Sequence, residues 1–211
     1  MKSLLKIIFI ALVLFSVSNY QVTAKTKTKK KTTISKSEEK VKMEVKKNPQ
    51  YVISVKQGNV DFGNIVLELF PDVAPKHCHN FDSLVKIKFY DGTAFHRVIP
   101  GFMIQGGDPN SKSKPKETWG MGEPGQKTVP AEFNDISHER GILSAARTPD
   151  PNSATSQFFI CVASASHLNK QYTVYGKVVT GMDVVDKIVS VPCDGSAPKV
   201  KVEMKITKKT N

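Results

Sequence analysis

Arginine is scarce in this chain. Arg97, Arg140 and Arg147 are the only three, although Lys and Arg together number 31. Cysteine is scarce as well: Cys78, Cys161 and Cys193 make an odd count, which is not the basis of a disulfide framework. One disulfide remains open, with no pair favoured by sequence, and Cys161 lies in an apolar run that reads as core. The apolar run at residues 7–17 falls well short of the ~20 residues that a membrane-spanning helix needs. No Ser, His and Asp set comes with a nucleophile elbow, so hydrolysis has little support.

What stands at the N-terminus has the layout of a secretory signal peptide. Lys2 and Lys6 make a short basic start, the apolar run follows, and Val22-Thr23-Ala24 has the small residues of a cleavage site. Residues 1–24 are therefore expected to be removed, and the chain to be exported to a periplasm or secreted. An uncleaved anchor would need a longer apolar run. Residues 25–48 then hold ten Lys against Glu38, Glu39 and Glu44, with no aromatic residue. Such a segment cannot bury enough apolar surface to offset its ordering entropy and reads as a disordered linker.

The formal charge of +12 belongs largely to this region. Setting aside the twelve Lys and three Glu before Pro49 leaves nineteen bases against sixteen acids, a charge of +3. A basic pI is thus no argument for a nucleic-acid-binding domain. The tail could touch an anionic lipid or polymer weakly; a merely solvating tether is the blander reading and the better one. Residues 49–211 form one domain of adequate size for its own core.

Within that domain, residues 51–55 and 65–69 alternate as strands do, separated by turn chemistry at Gly58-Asn59 and Asp61-Phe62-Gly63. Pro75 suits the first position of a helix whose apolar stripe is Cys78, Phe81, Leu84 and Val85. Short strands are expected at 94–98, 103–105, 141–146, 157–162, 174–179 and 200–207, and a second helix around Met182, Val185, Ile188 and Val189. Residues 110–129 are polar and rich in Gly, Pro and Lys, as in a surface loop. Many short strands and two helices indicate an all-β barrel or sandwich.

Two motifs invite chemistry and do not sustain it. Gly120-Met121-Gly122-Glu123-Pro124-Gly125 fits GxGxxG, but a phosphate-binding version needs a strand before it and a helix after it. His77-Cys78-His79 resembles a metal pattern, yet residues two apart on a helix do not share a face. Both His are expected to be exposed helix residues.

The stretch Phe95-His96-Arg97-Val98-Ile99-Pro100-Gly101-Phe102-Met103-Ile104-Gln105-Gly106-Gly107-Asp108 is different. It sets one permanent cation among large apolar side chains, with a neutral amide close by and no carboxylate, Ser or Cys between Phe95 and Gly107. A guanidinium does not transfer protons in proteins, but it holds donors in a fixed fork. This stretch resembles the central segment of the cyclophilins, the prolyl cis-trans isomerases. A second stretch, Gly141-Ile142-Leu143-Ser144-Ala145-Ala146 followed by Ser156-Gln157-Phe158-Phe159-Ile160, is similar to the family's other signature block. The resemblance runs from about Tyr51 to Ile206.

The resemblance implies a closed eight-stranded antiparallel β-barrel capped by two α-helices. It implies catalysis of rotation about Xaa-Pro bonds in peptides and folding exported proteins, with no cofactor and no metal, by a monomer that binds no specific nucleic acid. By position, Arg97, Phe102 and Gln105 would be catalytic. Met103, Ala146, Arg147, Gln157, Phe159, His167, Leu168 and Tyr172 would bind substrate, Arg147 chiefly through its backbone. The competing expectation is a cyclophilin-like module or chaperone that grips proline segments with little turnover. His167 stands where many members have Trp and Tyr172 where many have His, so weak binding of the cyclic peptide cyclosporin is expected.

Overall fold

Alternating apolar residues build the first hairpin. In the computed structural model, which describes residues 47–210, strand β1 (Gln50–Gln57) turns at Gly58-Asn59 into β2 (Val60–Leu69). Tyr51, Ile53 and Val55 of β1 and Ile65, Leu67 and Leu69 of β2 are all buried, as the two-residue period of a strand requires. The predicted signal peptide and nearly all of the linker lie outside the described residues.

Helix α1 (Pro75–Lys86) follows, then β3 (Thr93–Ile99), β4 (Met103–Gly106), β5 (Ile142–Ala145), β6 (Phe158–Cys161), β7 (Val174–Thr180) and helix α2 (Met182–Val189). A small hairpin of β8 (Cys193–Asp194) and β9 (Ala197–Pro198) precedes β10 (Val202–Lys208). Eight strands close in the order β1-β10-β3-β4-β6-β5-β7-β2, every pairing antiparallel. The barrel interior is filled by residues such as Ile53, Leu67, Phe95, Ile104, Leu143, Phe158 and Ile206.

The helices close opposite ends. Phe81 of α1 packs edge-on to Tyr51 at 5.3 Å and to Phe158 at 6.0 Å, at the starts of β1 and β6. Val184 of α2 lies against Gly63, near the start of β2 and so at the other end of this antiparallel pair. Burying an aromatic face of this kind contributes about 1.5–3 kcal/mol per side chain.

Three local expectations need correction. Asp61-Phe62-Gly63 is not a turn but lies inside β2. Val55 pairs with Gly63 and Lys56 with Asp61, so Phe62 is the extra residue of a bulge. The β8–β9 hairpin was not expected; its Ser196 carbonyl accepts from Val98 N–H at 2.7 Å and so extends the edge of β3. His77 is buried, not exposed; only His79 faces out. No side chain of α1's own N-terminus caps it. Glu132, from a distant loop, accepts from the N–H groups of Lys76 and His77 at 3.0 Å each and meets His77 Nδ1 at 2.6 Å. Burial pushes the His77 pKa down despite that carboxylate. Burial also acts to raise Glu132, but the hydrogen bonds it accepts outweigh this and hold it low. All three cysteines are free thiols, with Cys78 and Cys161 buried and Cys193 half-buried.

Candidate active site

Strands β4 and β6 are buried on both faces, and that is where the site lies. Their inward residues join the barrel core. Met103, Phe159 and Cys161, which point outward, form a second apolar cluster with Ala165 and Leu168, against which Ile99, Phe102, Ala146 and Tyr172 pack. The connection after β6 folds back over the barrel wall and supplies Leu168 from a 3-10 turn (Ser166–Leu168).

The β3–β4 ladder pairs Arg97 with Gln105, with a register shift at Phe95/Arg97. Arg97 Nη1 donates to Gln105 Oε1 at 3.3 Å, a long contact between exposed groups. Gln105 Nε2 donates to Gln157 Oε1 at 3.0 Å, and Gln157 Nε2 donates to the Gly120 carbonyl at 3.0 Å. This chain of amides fixes which end of Gln105 faces the guanidinium. Among the described residues, Arg97 has no carboxylate partner. The other two arginines are engaged: Arg140 with Asp186 at 2.8 Å, and Arg147 with three backbone carbonyls.

Phe102 is carried on the Pro100-Gly101 turn, where Gly101 takes φ +72° and Phe102 N–H donates to the Ile99 carbonyl. Its ring lies 5.4 Å from that of His167. Phe159 is held on two sides, stacked on His138 at 6.0 Å and edge-on to Tyr172 at 5.8 Å.

Of the eleven residues singled out from the sequence, ten line one open cavity of about 340 Å³: Arg97, Phe102, Met103, Gln105, Ala146, Arg147, Phe159, His167, Leu168 and Tyr172. Gln157 does not reach it. It lines a neighbouring cavity of about 590 Å³, which shares Gln105, Ala146 and Arg147 with the first. No lining residue of the smaller cavity is a carboxylate. Its chemistry is a fixed donor fork opening on an apolar cup, suited to an uncharged ring beside a hydrogen-bond acceptor.

Sequence reasoning missed the polar layer beneath Phe159. Ser144 Oγ donates to the Thr173 carbonyl at 2.8 Å and lies 3.1 Å from His138 Nε2, while His138 Nδ1 lies 3.1 Å from Asn169 Oδ1. His138 and Ser144 are buried, and burial lowers the His138 pKa. His138 sits in a polar stretch with no local signal of burial. It also missed the Arg147 side chain, whose guanidinium lies 4.4 Å over the Tyr172 ring.

Residues 52–210 match the model of the family described as cyclophilin type peptidyl-prolyl cis-trans isomerase/CLD. The chain is similar to a peptidyl-prolyl cis-trans isomerase of Acinetobacter baylyi, 49% identical over 137 residues that span 63% of this chain and 70% of that protein. It is also similar to a probable peptidyl-prolyl cis-trans isomerase of Brucella suis, 49% identical over 130 residues, 60% of this chain and 66% of the relative. Among solved structures it resembles a cyclophilin type isomerase of Cryptosporidium parvum, with TM-score 0.68 and 30% identity over 78% of this chain and 99% of that one. A second structure of that protein, determined in the presence of the dipeptide Ala-Pro, gives TM-score 0.66 and 30% identity over 77% and 99%. With one such model covering nearly all of the barrel, the chain belongs to the cyclophilin-type peptidyl-prolyl cis-trans isomerases.

Proposed function

We propose that this isomerase acts outside the cytoplasm on unfolded, proline-containing chains, using Arg97 on the transition state and the apolar cup on the ring. The observation that carries the site assignment is Arg97 itself. It has no carboxylate partner among the described residues, one long hydrogen bond to a neutral amide, and a place on the wall of an apolar cavity.

The barrier to rotation comes from amide resonance, roughly 18–20 kcal/mol, and leaves the uncatalysed step at tens of seconds or longer. No bond breaks, so the site needs neither a nucleophile nor a proton acceptor. In the twisted transition state the proline nitrogen loses conjugation and gains a lone pair. Arg97 donates a hydrogen bond to that nitrogen, an interaction far weaker in the planar forms. Phe102, Met103, Phe159 and Leu168 hold the ring and exclude water. Gln105 and the backbone at Ala146-Arg147 hold the flanking peptide.

Export rests on the basic, apolar and small-residue succession ending at Ala24. Clients are then exported proteins still folding, and the Lys-rich residues 25–47 act as a tether with at most weak contact to anionic surfaces. The protein works as a monomer. An isomerisation assay on a short Xaa-Pro peptide with the mature protein tests the site. Binding without turnover would replace the enzyme by a proline-peptide module. N-terminal sequencing of exported protein should begin at Lys25, and a retained Met1 would refute the cleavage.

A further inference from the structure

The Arg147 side chain reaches from the end of β5 to the turn that follows Leu168. Its Nε and Nη2 donate to the Gln171 carbonyl at 3.2 and 2.8 Å, and its Nη1 donates to the carbonyls of Thr148 at 2.8 Å and Pro149 at 3.2 Å. The same guanidinium lies 4.4 Å over the face of Tyr172. A planar fork suits this double duty of bidentate donation and stacking, and an ammonium does not.

Both ends of the contact are anchored. On the Arg147 side, Ala146 N–H donates to the Gln157 carbonyl, and the hydroxyls of Thr148 and Ser153 lie 2.7 Å apart. On the other side, the N–H groups of Gln171 and Tyr172 donate to the Leu168 carbonyl, and Gln171 Nε2 donates to that of His167 at 3.0 Å. The Gln171 carbonyl is therefore tied to the turn that carries His167 and Leu168. Among the described residues no other side chain donates to it. Tyr172 in turn meets Phe159 edge-on.

We propose that the Arg147 side chain is a positioning residue that clamps the His167–Tyr172 turn to the exit of β5 and so sets the outer wall of the proline cavity. The proposal rests on the reading of that cavity as the ring-binding site. Arg147 acts through Tyr172 and the turn, while the Arg97–Gln105 pair on β3 and β4 is left untouched. The clamp therefore governs how well peptide is held rather than how fast the bound peptide turns.

The test is a double-mutant cycle with separate KM and kcat on an Xaa-Pro peptide. Arg147→Ala should raise KM roughly three- to tenfold, the range for a cation–π contact with charged hydrogen bonds at a half-exposed rim, with kcat near that of the parent. Arg147→Lys should recover little of the loss. In a Tyr172→Leu background the effect of Arg147→Ala should shrink to what its bonds to the Gln171 carbonyl contribute. An unchanged KM, a fall in kcat at constant KM, or an undiminished effect without Tyr172 would each overturn the clamp. The Tyr172 ring resonances, followed by NMR in the substrate-free protein, give a readout independent of turnover. They should shift and average in Arg147→Ala and, less completely, in Arg147→Lys, which carries the test should the alanine variant not fold. Unmoved ring resonances would refute the proposal. A parent protein that does not isomerise the peptide would instead sink the isomerase reading, leaving the ring resonances to decide the clamp.

Discussion

Replacing Arg97 by alanine separates transition-state stabilisation from binding. The side chain is exposed, and its one side-chain hydrogen bond among the described residues, 3.3 Å to Gln105, is a long one. Its loss strands no buried partner, so folding stability should change by no more than about 0.5 kcal/mol. A hydrogen bond from a charged donor is worth about 1.5–3 kcal/mol. If that bond forms only in the twisted state, losing it slows rotation of the bound peptide roughly 10- to 150-fold, at ~1.4 kcal/mol per tenfold. Affinity should move far less, because the planar nitrogen offers no lone pair and the apolar walls remain. Arg97→Lys should recover little, since a flexible point charge does not reproduce the fork. Phe102→Ala should weaken binding as well as turnover, because its ring lines the cavity in both states. Exchange spectroscopy on a saturated Xaa-Pro peptide reads the bound rate directly, and a titration gives affinity separately. Near-normal exchange with Arg97→Ala would mean that the cavity works by shape and that the electrostatic argument is wrong.

Four further outcomes are expected. His77, His96 and His138 all have pKa values lowered by burial from 6.5. The unfolded chain therefore takes up protons first, and stability falls as pH drops below about 6.5, by up to ~1.4 kcal/mol per pH unit for each histidine; equal urea midpoints at pH 7.5 and 5.5 would contradict this. Glu132→Ala removes the side-chain cap that α1 has among the described residues and the partner of His77, and should cost roughly 2 kcal/mol; a thermal midpoint within error of the parent would show the cap to be idle. Deleting residues 25–47 should leave turnover of a short peptide unchanged, and a large loss would mean that the segment folds onto the barrel. His167→Trp should strengthen inhibition by cyclosporin, whereas tight inhibition of the unaltered protein would show that the rim tolerates His.

What was legible in the sequence follows from the range of the forces involved. Strand alternation is local, so β1, the second half of β2 and β10 could be placed from their own residues, and Pro75 marked the start of α1 without help. Six of the ten cavity residues, Arg97, Phe102, Met103, Gln105, Ala146 and Phe159, lie in the two long motifs, and each motif is a strand pair, β3 with β4 and β5 with β6. Burial set by a distant partner left no such trace. His77 looked exposed because nothing near it in sequence announces Glu132, 55 residues away. Met103 and Phe159 would pass for barrel core until the return of residues 162–173 over the outer face shows why both sides of β4 and β6 are apolar.

Gly120 shows the same limit from the opposite direction. Its pattern fits GxGxxG without the strand and helix that a phosphate loop needs, and its positive φ and its neighbours give the glycine another cause. A Cβ there would stand 3.2 Å from the His96 ring, its N–H donates to the buried Asp108 carboxylate, and its carbonyl accepts from Gln157. The glycine lets a surface loop approach β3 closely enough to hold the amide chain that ends at Arg97. The lack of a flanking strand and helix already set the anion reading aside; the contacts add what the spacing could not show, that the motif is part of the support that orients the cation.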